Sequence, residues 1–465
     1  RPCRRAAYAA RYAASSEEDV SPRHSYRIAP RRHRRPPRVS SRTPMRILYV
    51  HQNFPAQFGH VAAHLAARPG YECRFLSETP PGLVGGIHKL QYKLAGGATQ
   101  QSHFCSRTFE NTIWHCDGVY RAMKALPDYK PDLIVGHSGF GSTLFLRELY
   151  PDVPVVNLFE YYYRPHGPDS DMDFRHDLGW ELEDMKYVRS RCRNAMILLD
   201  LQNCDAAYAP THFQRSRFPA EYLPKIDCIF DGVDRSVYHA HEDVLRPPLG
   251  TRGPRTLAGL SLPAGARVMT YVSRGFESMR GFDIFLEVAA RVTAEVPDAH
   301  VIVVGADRIA YGGDEQYIAP FKSFKDWCLA PGTHDLSRIH FVGRIPPLEL
   351  ARVLAATDLH LYLTVPFVLS WSMMDAMSCG ATVLGSDTPP VAEMVTEGST
   401  GLLADFFDVD ALSTKACAVL RDPAAYRPLG LAAERMIAEK YSLEAVLPRM
   451  VALYEATVSR GVRAD

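Results

Sequence analysis

Long apolar runs are missing from this chain of 465 residues, so no segment is expected to span a bilayer as a helix. The ten cysteines contain no C-x-x-C pair and no regular spacing, which argues against a disulfide framework or a thiolate zinc site. Scattered thiols of this kind suit a reducing compartment. No G-x-G-x-x-G follows a strand-like segment, which argues against a nicotinamide-dependent dehydrogenase. An excess of one charge is lacking as well. Net charge is +1, yet residues 1–44 hold twelve Arg and three acidic residues, about +9, which leaves about −8 for the rest. A basic body that binds nucleic acid is not indicated.

Residues 1–44 also lack hydrophobic periodicity and cannot bury a core. They contain no apolar block of the secretory kind, and Met45 immediately precedes a strong strand pattern. The segment is expected to be a non-native or over-extended N-terminus. A disordered basic arm touching lipid or nucleic acid, or an organelle presequence, are the alternatives.

The remainder is ordinary in composition, 46% hydrophobic and 23% charged, and long enough for two or three domains. From Met45 strands and helices alternate. Strands are read at Arg46–Val50, Tyr71–Ser77, Pro131–His137, Pro154–Glu160, Ala206–Pro210 and Ile226–Asp234. Helices are read at His60–Ala67, Thr108–Leu126, Ser142–Tyr150 and Arg175–Asp200. Between them, Gly82–Cys105 has paired glycines and weak periodicity and reads as an irregular insertion. Residues 246–265, dense in Pro, Gly and Leu, read as a linker. The alternation then restarts, with strands at Arg267–Ser273, His300–Gly305, Ile339–Gly343 and Leu359–Leu363 and helices at Gly281–Ala294, Pro347–Ala356, Asp410–Leu420 and Tyr426–Val458. Two such runs predict an α/β protein of two facing Rossmann-like domains, residues 45–245 and 266–440. Residues 441–465 form a C-terminal helix expected to pack back on the first domain. The site is expected in the cleft between the domains.

One stretch, Pro366 to Asp387, concentrates the chemistry. Ser370 or Ser372 can cap a short helix, with Asp375 near its first turn, and Gly380 suits the helix exit. A strand follows from Ala381 to Leu384. A helix start at the end of a parallel sheet is an anion site of the phosphate-binding type. A core helix lying on the sheet is the plainer alternative.

The second half resembles the family-four glycosyltransferases of the two-Rossmann-domain (GT-B) type. The resemblance rests on YVSRGFESMRGFD from Tyr271, IVVG ending at Gly305, FVGR ending at Arg344, DAMSCGATVLGSDTPPVAEMV from Asp375 and EGSTGLL from Glu397. APTHFQR from Ala209 and FDGVD from Phe230 extend it more loosely into the first half. The resemblance implies a retaining, metal-independent, hexosyl-type transferase. It would move a sugar from a nucleotide-sugar donor to a hydroxyl of a carbohydrate or lipid-linked acceptor. No cofactor, no metal and no nucleic-acid partner are implied. The family setting is polysaccharide or lipopolysaccharide biosynthesis in the cytoplasm, compatible with peripheral contact at the inner face of the membrane.

Residue by residue, the resemblance puts Arg274 and Arg280 on the donor diphosphate, with Arg280 in place of the usual Lys after one extra loop residue. Two fixed cations there would stabilise the departing nucleoside diphosphate. Gly59 corresponds to a glycine loop approaching the diphosphate, and Gly343 and Arg344 to the turn at the nucleobase. Asp375 stands for the second of two family glutamates. The first position is Phe367, which cannot bond a sugar hydroxyl, so backbone groups at Leu369 and Ser370 would have to replace it. Where many members have a His after the strand near Val156, this chain has Glu160, a candidate catalytic carboxylate. Pairing with Arg164 is its structural alternative. His137, at a strand end, is a candidate for the acceptor site. Asp169-Ser-Asp171-Met-Asp173 has the D-x-D spacing of metal-dependent sugar transferases but follows a loop, which suits an acceptor loop better than a metal site. His60 and His64, at i and i+4 without a nearby Glu, read as helix surface. The alternative function, prompted by Phe367, is a nucleotide-sugar-binding or scaffold protein that has lost catalysis.

Overall fold

A computed structural model describes residues 44–166, 184–241, 246–311, 313–316 and 318–462. The expectations for residues 1–43 and for Asp169–Asp173 lie outside these residues. Among the described residues no helix is long and apolar enough to cross a membrane.

The first half builds an eight-stranded sheet. Its strands are β1 (Met45–Val50), β2 (Tyr71–Ser77), β3 (Gly82–Val84), β4 (Ile87–Gln91), β5 (Leu133–His137), β6 (Val155–Leu158), β7 (Ala206–Ala209) and β8 (Ile226–Cys228). Their order is β3-β4-β2-β1-β5-β6-β7-β8, parallel throughout except for the antiparallel β3–β4 pair. Ile47 to Val50 are all buried, as befits a central strand covered on both faces. On one face lie Gly59–Ala66 and the C-terminal helix Leu443–Arg460, whose Val446, Met450 and Tyr454 join Ile47, Tyr49 and Phe58 in one cluster. On the other, Val119 and Met123 of Arg107–Lys124 and Ile197 and Leu201 of Ala195–Asn203 pack on Leu48, Val50 and Ile134.

Three segments of this half differ from expectation. The supposed insertion contains β3 and β4, and β4 adds to the parallel sheet beside β2. Only Ile87 of β4 is buried, so the strand carries almost no alternation to read. Ser142–Tyr150 holds one 3-10 turn, Leu144–Glu148, not an α-helix. The described part of Arg175–Asp200 is two helices, Asp184–Arg193 and one beginning at Ala195. Asn194 marks the break, its side chain accepting from the Tyr163 amide at 2.9 Å and donating to the Tyr163 carbonyl at 2.7 Å.

The second half begins with a hairpin of β9 (Arg255–Leu257) and β10 (Leu260–Leu262). It continues with a six-stranded parallel sheet of β11 (Arg267–Gly275), β12 (Ala299–Ala306), β13 (Ile339–Gly343), β14 (Leu359–Tyr362), β15 (Thr382–Ser386) and β16 (Leu402–Ala404), ordered β13-β12-β11-β14-β15-β16. The hairpin falls in the stretch read as an irregular connection. Leu257 and Leu262 share a cluster with Val268, Ile302 and Val353. Arg246 donates to the carbonyls of Ala355, Cys379 and Gly380 at 2.7–2.8 Å. Arg252 forms a buried two-bond pair with Asp358 at 2.6 and 2.7 Å. These polar anchors give no hydrophobic period, which is why the sequence looks like a loose linker.

Ser370 caps the helix Trp371–Ser378, accepting from the Ser372 amide, and Gly380 follows with φ +68°, a conformation that favours glycine. The terminal helical pattern read as continuous is interrupted at Ser442, which caps Leu443–Arg460. Here the two passages between the halves meet. The Val233 amide donates to the Tyr441 carbonyl at 2.8 Å, and the Leu443 amide to the Val233 carbonyl at 3.0 Å.

Candidate functional site

In both sheets the strand order reverses at the first long strand, β1 in one and β11 in the other. Loops beyond the carboxyl ends of strands at such points are where α/β sheets bind ligands.

In the first half, His51 follows β1, His137 ends β5, Glu160 lies just past β6 and Asp231 just past β8. His137 is in register with Leu158, so Glu160, two residues on, comes to the same place. His137 Nε2 lies 3.5 Å from Glu160 Oε2, and Gln57 Nε2 donates to Glu160 Oε1 at 2.8 Å. The other imidazole nitrogen, His137 Nδ1, faces the Ser138 carbonyl at 2.9 Å. Burial opposes charge on both members of the pair. Their mutual attraction, helped by Gln57, outweighs it, holding Glu160 below and His137 above their ordinary values. His51 meets the His137 ring edge-on at 5.3 Å. Burial and that neighbour push its pKa down to about 3. Behind the pair, Ser138 and Ser142 hydroxyls donate to the buried Asp200 at 2.9 and 2.8 Å.

Arg164 does not pair with Glu160. It donates instead to the carbonyls of Ser216 and Arg217, each at 3.2 Å. Asp231 was not singled out by sequence reasoning, although it stands in the quoted FDGVD stretch. Burial and the nearby Glu160 push its pKa up to about 7. Trp371, from the second half, donates its indole N–H to Asp231 at 2.8 Å. A carboxylate just past a strand end is the available signal.

In the second half, Arg274 lies near the end of β11 and is exposed, with no partner among the described residues. Arg280 is only 6% exposed. Its guanidinium donates to Thr364 Oγ1 at 2.7 Å and lies over the rings of Tyr311 and Phe367 at 5.5 and 5.8 Å. Burial works against this cation, and Tyr362, Tyr311 and Glu277 outweigh it, so its pKa is raised. Phe367 is buried, with Tyr161 edge-on at 4.8 Å, and the Tyr161 hydroxyl donates to the Pro366 carbonyl at 2.9 Å. Thus Arg280 and Glu160, 120 positions apart in sequence, are linked through Phe367 and Tyr161, the neighbour of Glu160.

Other expected residues are placed less directly. Leu369 is buried. The Ser370 amide donates to the Tyr362 hydroxyl at 2.8 Å, so it is not the free donor the sequence suggested. Asp375 is partly buried one turn into its helix, and no described residue hydrogen-bonds its carboxylate. Burial raises its pKa to about 8. Gly59 opens the helix Gly59–Ala66 rather than lying in a loop, and a Cβ there would stand 2.9 Å from Pro55. Gly343 and Arg344, at the end of β13, are exposed.

Two facing Rossmann-like halves match the GT-B architecture. Solved structures of that architecture superimpose on most of the chain. Sucrose-phosphate synthase from Thermosynechococcus elongatus matches with a TM-score of 0.63 at 18% identity, over 90% of this chain and 100% of that one. Anabaena Alr3699/HepE in complex with UDP-glucose matches at 0.59 and 14%, over 89% and 100%. The family model for the glycosyl transferase family 4 group matches residues 69–237, and that for glycosyl transferases group 1 matches residues 266–422. The chain belongs to this glycosyltransferase family. Among curated proteins, the N-acetyl-alpha-D-glucosaminyl L-malate synthase of Bacillus anthracis is 25% identical over 264 residues, 56% of this chain and 62% of that protein.

Proposed function

We propose that this chain transfers a sugar, with retention of configuration, from a nucleotide-sugar donor to a hydroxyl acceptor. The observation that supports it most is Arg280: a buried cation beyond β11, walled by Tyr311 and Phe367 and next to the Tyr161–Glu160 segment of the other half. In this reading Arg280 and the exposed Arg274 hold the diphosphate as it leaves. They supply the positive charge that a divalent ion supplies elsewhere, so no metal is required. The aromatic wall limits water at the reacting carbon. Glu160, kept ionised, faces positive charge developing on the sugar. Asp231, half-protonated near neutral pH, holds the acceptor hydroxyl. The acceptor is a carbohydrate or lipid-linked sugar, in polysaccharide or lipopolysaccharide assembly at the cytoplasmic side of a membrane.

Thermal shift against a panel of nucleotide diphosphates and their sugars tests the donor. UDP-glucose belongs in it first, because the Anabaena neighbour was solved with that molecule. Transfer assayed with chelator, and the product anomer read by NMR, test the rest. No response to any nucleotide would remove the donor assignment. Abolition by chelator with rescue by Mn²⁺ or Mg²⁺ would remove metal independence. A second reading, a nucleotide-sugar binder without catalysis, is favoured by the apolar Phe367. It predicts a strong thermal shift with neither transfer nor donor hydrolysis.

A further inference from the structure

Beside that site, where Gln214 of the helix His212–Ser216 donates to the Glu160 carbonyl at 2.7 Å, three chemically different ligand groups meet where the halves touch. His212 opens the short helix His212–Ser216, Cys228 ends β8, and Glu393 follows the helix Pro389–Ala392 of the second half. One donor atom from each lies within 4.8 Å of the others. Glu393 is already fixed in place: its two oxygens accept the amides of His212 and Phe213, both at 2.7 Å. A carboxylate offers about four acceptor positions, so two remain. We infer that His212, Cys228 and Glu393 form a Zn²⁺ site that clasps the two halves together.

Imidazole, thiolate and carboxylate are the ligand types of zinc, and three protein ligands leave a fourth position for water. Zinc bonds of roughly 2.0–2.3 Å put tetrahedral ligand atoms about 3.5 Å apart, so atoms lying within 4.8 Å draw in by at most about 1.3 Å on binding. His212 is exposed, which gives the ion a path in and lets its ring turn. Cys228 is half-buried, and burial and Glu393 push its thiol up to about 11. Zinc replaces the thiol proton, which passes to solvent. Arg215 and Arg449 are the nearby cations. Both donate to backbone carbonyls, Arg215 to Ile226 and Leu223 and Arg449 to Cys228 itself, rather than to the carboxylate. No sequence spacing announces the site, because the ligands come from three elements at positions 212, 228 and 393.

Metal binding can be read without assaying transfer. Chelator-treated full chain is titrated with Zn²⁺ by calorimetry and with Co²⁺ by absorption. One equivalent binds, with a thiolate-to-cobalt charge-transfer band in the near ultraviolet. Cys228→Ser removes the band, and Cys228→Ser and His212→Gln each lower Zn²⁺ affinity by about a hundredfold or more, since loss of an outer-shell partner alone costs up to that much. Zn²⁺ also slows amide exchange at His212 and Phe213 by about tenfold, and Glu393→Gln cancels that slowing. Melting temperatures without metal show that each variant folds. Absence of binding, or binding undiminished in Cys228→Ser and His212→Gln, overturns the site. Binding that leaves the two amides unaffected overturns the clasp.

Discussion

The two halves share a fold and differ in what they place at their strand ends. The first gathers titratable groups within electrostatic reach of one another: Glu160, His137, His51 and Asp231, each shifted by the others or by burial. The second brings one buried permanent cation, Arg280, held by a hydroxyl and two aromatic rings. The same scaffold therefore supports proton handling on one side and fixed charge on the other. A diphosphate asks for the second kind of surface, a reacting hydroxyl for the first.

Substitutions can break this division of labour. The largest effect is expected from Arg280→Ala, which should lower turnover by about a hundredfold or more, the scale of removing one transition-state charge contact. Arg274→Ala should cost a similar factor while leaving the melting temperature unchanged, because the side chain is exposed. Near-normal turnover in both would take the diphosphate away from this half. Glu160→Gln should lower turnover by roughly tenfold, with nucleotide affinity nearly constant. A lower melting temperature with turnover per folded molecule preserved would instead make Glu160 a structural partner of His137.

Asp231 sharpens the comparison through pH. Its carboxyl rises from 3.8 to about 7, so the folded chain holds a proton that the unfolded chain has released. Its contribution to stability is present at low pH and is lost as pH rises through that window. Asp231→Asn removes this slope, so its melting temperature should gain on the parent between about pH 4 and about pH 8. A constant gap would show that Asp231 is not shifted. The smallest effect is expected from Tyr161→Phe, which loses the 2.9 Å bond to Pro366 and about 1 kcal/mol of stability, read from denaturant unfolding.

Central strands and capped helices were legible because each carries its own local pattern. β1 ends in the continuous buried run Ile47–Val50, and the Ser370–Gly380 helix has both a cap and a stop. What stayed hidden depends on neighbours distant in sequence. β4 is recognisable only beside β2, and Arg246 and Arg252 look like loop residues until the carbonyls and the carboxylate they serve are known. In the site, the residue types at Glu160, His137 and Arg280 were open to view. The His137–Glu160 pairing follows from strand register, and Asp231 gained meaning only from Trp371, 140 positions away. Phe367 was noticed as a loss of a carboxylate. The fold shows what the exchange installs, an aromatic contact to Tyr161 and Arg280.

The return of the last helix to the first sheet has a consequence for recombination between relatives. Val446, Met450, Tyr454 and their neighbours on the same helix complete a core whose remaining members lie within the first 230 residues. A chimera that joins one parent's residues 45–245 to another's entire remainder would graft a foreign helix onto β1. Its interdigitation with Ile47, Tyr49 and Phe58 would be mismatched. The exchangeable module is discontinuous: the first half together with Leu443–Arg460, with both crossovers placed at the Val233–Ser442 bridge. Acceptor preference, if it resides in that module, can be transplanted only by two cuts made at the same point in space.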